Sequence, residues 1–270
     1  MTQDIDTKGP DINNSVIIDK NELGIAYVTI NRAHAYNALS LGCMQSLLTA
    51  FSDCSSDASV RVIVLAGSGK GFCAGHDLAE MRSHPERTFQ QQTIDTCATL
   101  MLAITQSPKP VIAKVHGVAT AAGCQLVASC DLVVADKRAR FATPGINLGL
   151  FCSTPMVPLS RNVSKKHAME MLLLGDFISA QRAYEMGFVN RLAPADQLNQ
   201  LVDELAAKIA SKSSMTLKTG KQAFYQQIDK NISEAYDYCG QVMVDNMMTH
   251  DAQEGIDAFI AKRDPVWQDK

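Results

Sequence analysis

The chain has no strong excess of charge, no paired-cysteine motif and no long apolar run. Its 25 basic and 28 acidic residues leave a formal charge of -3. So even a balance gives no support for binding nucleic acid or an anionic membrane surface. Eight cysteines occur, at positions 43, 54, 73, 97, 124, 130, 152 and 239, but none forms a CxxC pair. No set of cysteines and histidines has zinc-ligand spacing, so no metal site is expected. Several cysteines lie in apolar runs, as Cys124 and Cys130 do in GCQLVASC, and read as small buried thiols of a reducing compartment. No apolar stretch approaches the roughly 20 residues that cross a bilayer. The polar start, MTQDIDTKGPDINN, lacks both an apolar signal core and an arginine-rich amphipathic helix. The expectation is a cytoplasmic protein without a membrane partner.

Several motifs of chemistry are also missing. GSGKGF at 67–72 fails the dinucleotide pattern because Phe72 stands where the last glycine belongs. It fails the P-loop pattern because neither Ser nor Thr follows Lys70. There is no G-x-S-x-G elbow and no H-E-x-x-H.

What is present is an ordinary globular balance, 46% hydrophobic and 20% charged over 270 residues. Residues 1–14 read as a loose tail. SVIIDK (15–20) and GIAYVTIN (24–31) read as two strands, and a helix follows from about Ser40 to Cys54, with Ser40 as its N-cap. Its apolar residues Met44, Leu47, Leu48 and Phe51 recur at spacings of three and four. RVIVLAG (61–67) is a continuous apolar run, the signature of a strand buried on both faces; PVIAKVHG (110–117) reads as the next buried strand, with a helical pattern between them over 85–106. LVVAD and RFAT follow as short strands, and FVNRLA as another. This alternation implies crossovers and a mainly parallel sheet, an α/β class. Helices are expected near 195–212, 214–228, 232–247 and 251–261, the last started by a capping box of Asp251 and Glu254. The organisation is then a tail over 1–14, a core over 15–193 and a helical region over 194–270.

Two glycine-bearing turns each follow a buried strand and lead toward a helix start. They are GSGKGFCAGHDL (67–78) and HGVATAAGCQL (116–126). Small residues let a ligand approach the backbone, and the free N–H groups of a helix start attract negative charge. Two such loops side by side would hold a developing oxyanion.

At these residues the chain resembles the crotonase, or enoyl-CoA hydratase/isomerase, superfamily. The matching segments are NRAHAYNALS, GKGFCAGHDLAEM, HGVATAAGCQLVASCDLVVAD, ARFATPGINLGL, SAQRAYEMGFVNRLAP and QEGIDAFIAKR, in family order from Val16 to Lys262. The resemblance implies a spiral of strand–strand–helix (ββα) units with C-terminal helices that build a homotrimer or a dimer of trimers. It implies an acyl-CoA thioester as ligand, with coenzyme A as part of the substrate and no separate cofactor. It places the backbone N–H groups of His76 and Ala122 as an oxyanion hole. It assigns Ala35, Asn37, Ala38, Ala74, Asp77, Leu78, Pro144 and Leu150 to the CoA and acyl surfaces, with Asp77 expected to cap or orient its loop. Phe259 and Lys262 match positions that relatives place near the adenine or phosphates, while core packing is the alternative for Phe259. Arg32 or Lys70 is a further candidate for a phosphate.

The pattern breaks where relatives carry two acid–base glutamates. Gln125 occupies the first position and Gly145 the second, and neither an amide nor a glycine exchanges protons near neutral pH. Cys152 lies near a site where some relatives place a nucleophile; it reads either as a nucleophile with a lowered pKa or as a small buried wall of an acyl pocket. Two readings result. One is an acyl-CoA-processing enzyme of the hydratase/isomerase type, acting on fatty acyl thioesters. The other is a non-catalytic acyl-CoA-binding protein that kept the pocket and lost the chemistry.

Overall fold

The computed structural model describes residues 15–270. The tail expected over 1–14 lies outside the described residues. Among the described residues nine strands run in chain order: β1 (Val16–Lys20), β2 (Ile25–Ile30), β3 (Val62–Gly67), β4 (Val111–Val115), β5 (Val118–Thr120), β6 (Leu132–Asp136), β7 (Arg140–Ala142), β8 (Ile178–Ser179) and β9 (Arg191–Ala193). The first seven helices are α1 (Leu41–Ser56), α2 (Leu78–Ser83), α3 (Arg87–Gln106), α4 (Ala122–Ser129), α5 (Met156–Asn162), α6 (Lys165–Leu174) and α7 (Ala180–Glu185). The last four are α8 (Leu198–Ala210), α9 (Ser214–Gln227), α10 (Ile232–Met247) and α11 (His250–Ala261).

Six strands form one sheet in the order β1-β2-β3-β4-β6-β9, and β5-β7-β8 form a second. β1 and β2 pair antiparallel; from β2 to β9 every pairing in the large sheet is parallel. The period-two alternation of each strand sorts its side chains between two apolar layers. Ile25, Val62, Val64, Ile112 and Val134 meet Leu198, Val202 and Ala206 of α8. On the other face Ala26, Val28, Ile63, Leu65 and Ala113 join the main core with α1, α3 and α4. Both faces are covered, which is why VIVLA carries no polar residue.

Local capping agrees with the sequence at several ends. The Ser40, Ser164 and Ser179 hydroxyls accept from the third backbone N–H of α1, α6 and α7. Two expectations are corrected. Only Arg191–Ala193 of FVNRLA is extended. The cap of α11 is Thr249, whose hydroxyl accepts from Ala252 N–H, and not the Asp251–Glu254 box. Asp251 is instead recruited by the C-terminal segment: its carboxylate accepts from Gln268 N at 2.8 Å and Asp269 N at 2.9 Å. Asp269 in turn accepts from Ser214 N and pairs with Arg61 at 3.2 Å, and the Trp267 indole donates to Ser211 C=O. These bonds clasp α11 to the start of α9.

α9 is fastened to the core by charge. Lys221 Nζ lies 2.7 Å from Asp131 Oδ2 and donates to the carbonyls of Ile104 and Lys109, and Tyr225 OH donates to Asp131 Oδ1. Among the described residues no helix is long and apolar enough to cross a membrane, and no group of three or more His, Cys, Asp or Glu could hold a metal ion.

Candidate functional site

The two glycine-bearing loops lie against each other. Backbone bonds from Phe72 N and Cys73 N to Val118 O, and from Thr120 N to Cys73 O, stitch the first loop onto β5. The Thr120 hydroxyl adds a bond to Ala74 C=O at 2.9 Å. Gly75 has a φ of +98°, and a Cβ there would stand 2.9 Å from Ala121 Cβ and 3.4 Å from Ala122 N. Only glycine meets both demands, so this residue sets how closely the loops approach. On the opposite side, Ala121 is a non-glycine residue with φ +49°. That strained backbone turns the chain from β5 directly into α4.

Two main-chain donors emerge from this junction. Residues 39 and 76 form a parallel bridge in which Leu39 N donates to Gly75 O and Asp77 N donates to Leu39 O. The N–H of His76 itself therefore points away from the bridge, and it has no partner among the described residues. Ala122 is the first residue of α4, where backbone N–H groups have no intrahelical acceptor. The first helical bond is that of Gln125 N to Ala121 O. The structure thus brings the His76 and Ala122 donors together across the Gly75–Ala121 contact.

Gln125, Gly145 and Cys152 bring no carboxylate to this part of the fold. Gln125 is one turn along α4 from Ala122 and 4% exposed. Its Oε1 accepts from Cys97 Sγ at 3.8 Å, and its Nε2 has no partner among the described residues. Burial lowers the His76 pKa, which keeps its imidazole uncharged at neutral pH, and its Nε2 is buried with no hydrogen-bond partner. Gly145 is the second residue of the 3-10 turn Pro144–Leu148, and its N–H donates to Cys152 Sγ at 3.3 Å. Burial raises the Cys152 pKa, against a lowering by that N–H. A raised thiol pKa does not favour the nucleophile reading, which requires a lowered one.

Other sequence candidates separate into structural and exposed groups. Asn37, expected at the CoA surface, is fully buried. Its Oδ1 accepts from Arg32 N and its Nδ2 donates to Ser68 O and Gly71 O, both at 2.8 Å, so it ties two loops together. Arg32 is not free for a phosphate: its guanidinium pairs with Asp77 at 3.0 Å and donates to Ala38 C=O. Asp77 caps α2 by accepting from Glu80 N, the orienting role expected of it. Ala35 and Ala38 flank the left-handed pair Tyr36 and Asn37, and Ala74 N donates to Tyr36 O. Leu78 and Leu150 are exposed, and Pro144 is half-buried beside Gly145. Phe259 is 84% exposed, which excludes core packing, and Lys262 ends α11 in the left-handed conformation. The buried Thr143 hydroxyl, which is without a partner, was missed by sequence reasoning, because a threonine before proline reads as a strand end.

Comparison with known proteins agrees with this architecture. The enoyl-CoA hydratase/isomerase family model matches residues 20–270. Enoyl-CoA hydratase domain-containing protein 3, mitochondrial, of Rattus norvegicus is 42% identical over 96% of this chain and 86% of its own length. The crystal structure of an enoyl-CoA hydratase from Mycobacterium smegmatis superposes with a TM-score of 0.92 at 49% identity, covering 94% of this chain and 98% of that one. That of human enoyl-CoA hydratase domain-containing protein 3 gives 0.91 at 42% identity, over 94% of this chain and all of the other. The cytoplasmic expectation does not stand, because the rat, Xenopus laevis and human relatives are all named mitochondrial. With the sheet order, the two stitched loops and these matches in agreement, the chain belongs to the enoyl-CoA hydratase/isomerase family.

Proposed function

We propose that this chain binds an acyl-CoA thioester and receives its carbonyl oxygen between the N–H groups of His76 and Ala122. The observation that carries this reading is the pair of unpartnered main-chain donors held side by side by Gly75 and Ala121. Preorganised N–H groups stabilise charge that gathers on a thioester oxygen when a proton leaves the adjacent carbon. The exposed positions of Phe259 and Lys262 leave both free to contact the nucleotide end of CoA.

Proton transfer is a separate matter. Hydration needs one group to activate water and another to serve the α-carbon. Gln125 supplies an amide, Gly145 supplies nothing, and the Cys152 thiol is held un-ionised by burial. These residues favour a thioester-binding protein, or chemistry that needs no carboxylate, over conventional hydration of an enoyl-CoA. The test pairs a crotonyl-CoA absorbance assay with a calorimetric titration of CoA and butyryl-CoA. Binding without turnover is expected; rapid loss of the conjugated absorbance overturns the reading. Gln125→Glu alone is the informative restoration, because position 145 has no room for a side chain.

A homotrimer, or a dimer of such trimers, is also proposed. α10 buries none of its residues; Ile232, Tyr236 and Met243 on it, Met248 at its end and Ile260 on α11 all stand exposed. An apolar face of this kind is covered in stable assemblies. Light scattering behind size exclusion at micromolar concentration tests it, and a monomer mass rules it out.

A further inference from the structure

Between Cys73 and Asp77 every backbone N–H but one is already taken. Cys73 N donates to Val118 O, Ala74 N to Tyr36 O, Gly75 N to the Cys73 sulfur and Asp77 N to Leu39 O. His76 N alone has no acceptor among the described residues. Two of those acceptors, Tyr36 O and Leu39 O, belong to a third segment, residues 32–39, as does Leu39 N, which donates to Gly75 O at 2.7 Å. Residues 39 and 76 pair as short strands do, and successive residues of a paired strand point their N–H groups to opposite sides. The direction of the His76 donor is therefore set from outside its own loop.

That segment holds its shape through Asn37. Tyr36 and Asn37 are consecutive non-glycine residues with φ of +50° and +57°, a left-handed backbone that asparagine tolerates better than most residues. Asn37 is 0% exposed, so its side chain is closed to a ligand. Its amide is committed at both ends: Oδ1 accepts from Arg32 N at 2.9 Å, inside the segment, while Nδ2 donates to Ser68 O and Gly71 O of the first glycine-bearing loop. One side chain thus closes the turn and fixes it against the loop that carries His76. We propose that Asn37 is a positioning residue, which locks the turn of residues 32–39 onto the first loop and so aims the His76 N–H at the thioester oxygen. It acts through the Tyr36–Ala74 and Leu39–His76 pairings and touches neither thioester nor nucleotide. The inference rests on the thioester-binding reading above.

The experiment is difference infrared spectroscopy of the full chain with butyryl-CoA isotope-labelled at the thioester carbonyl, run beside thermal unfolding. Hydrogen bonds from the two donors should move the carbonyl stretch to lower wavenumber on binding. Asn37→Gly keeps a residue at ease with the left-handed backbone and removes the amide. With one of two donors misaimed, the bound carbonyl should lose about half of its shift. Butyryl-CoA should then bind about two- to tenfold more weakly relative to CoA, which has no thioester carbonyl. A merely structural Asn37 would lower the melting temperature and leave the bound carbonyl's stretch in place, and that result overturns the proposal. Should Asn37→Gly fail to fold, Tyr36→Pro decides by the same spectrum. Tyr36 is 53% exposed, and a proline ring forbids its φ of +50°, so the turn opens with little loss of packing. The shift should shrink there too, and an unchanged stretch overturns the proposal. A parent chain whose bound carbonyl does not shift overturns the paired-donor reading, and this proposal with it.

Discussion

The Cys152 thiol occupies the space into which a side chain on Gly145 would project. A Cβ at Gly145 would come 2.8 Å from Cys152 Sγ and 3.0 Å from Leu150 O, both closer than such contacts normally are. The glycine N–H already donates to that sulfur. The two positions therefore form one packing unit, and a residue with a side chain at 145 requires that 150–152 move.

This makes Gly145→Ala destabilising by about 1–3 kcal/mol, the usual effect of overpacking. Combined with Cys152→Ala, the loss should be smaller than the sum of the two single losses, because the second change vacates the contested space. Urea unfolding of the two single variants and the double variant checks the coupling. Additive losses would show that the sites are independent.

Lys221→Met should cost about 3–5 kcal/mol, since it strands Asp131 and the carbonyls of Ile104 and Lys109 inside the protein. Burial pulls the Lys221 pKa down, with Asp131 opposing, which marks an ammonium held away from water. The accompanying loss should appear first as weakened protection of α9 amides in hydrogen exchange.

The thiols should be inert in the folded chain. Burial pushes Cys73, Cys97 and Cys124 up to about 12 and Cys43 up to about 11. Cys239 on α10 is half-buried, whereas the other seven cysteines are buried. Iodoacetamide at pH 8 should label Cys239 first, with the other seven reacting only in denaturant, as peptide mass spectrometry would show.

Stability should decline in acid through Asp77. Burial alone would raise its carboxyl, but Glu80 N–H, the Arg32 guanidinium and Ala79 N–H together hold it below the usual range. A carboxyl lower in the folded than in the unfolded chain leaves the unfolded chain binding more protons. Its contribution is complete above the unfolded carboxylate range, near pH 4, and is lost as the pH falls through the folded value. In Asp77→Asn the acid limb of a stability–pH curve should be shallower than in the parent. Identical slopes would remove Asp77 from the account.

The sequence conveyed the parallel sheet because strands buried on both faces are mostly apolar, and VIVLA, with VIAKV broken only by the half-buried Lys114, declares this without any partner. It conveyed the paired loops through small residues at strand ends. It could not convey which polar groups were already taken. Arg32 and Asn37 look like ligand contacts until the turn at Tyr36 folds them back onto Asp77, Ser68 and Gly71. Asp251 looks like part of a cap until residues 268 and 269, far along the chain, claim its carboxylate. Gly145 reads as a missing side chain, and only three-dimensional packing reveals that Cys152 has filled the place.

The paired N–H groups at residues 76 and 122 have a genetic consequence. Every amino acid except proline carries that donor, so nearly any codon change at these two positions preserves it. A lineage can revise the surrounding side chains freely, one mutation at a time, and still inherit the same pair of donors. The positions under the tightest constraint are then their silent neighbours, Gly75 and Ala121, which hold the two loops at the required separation.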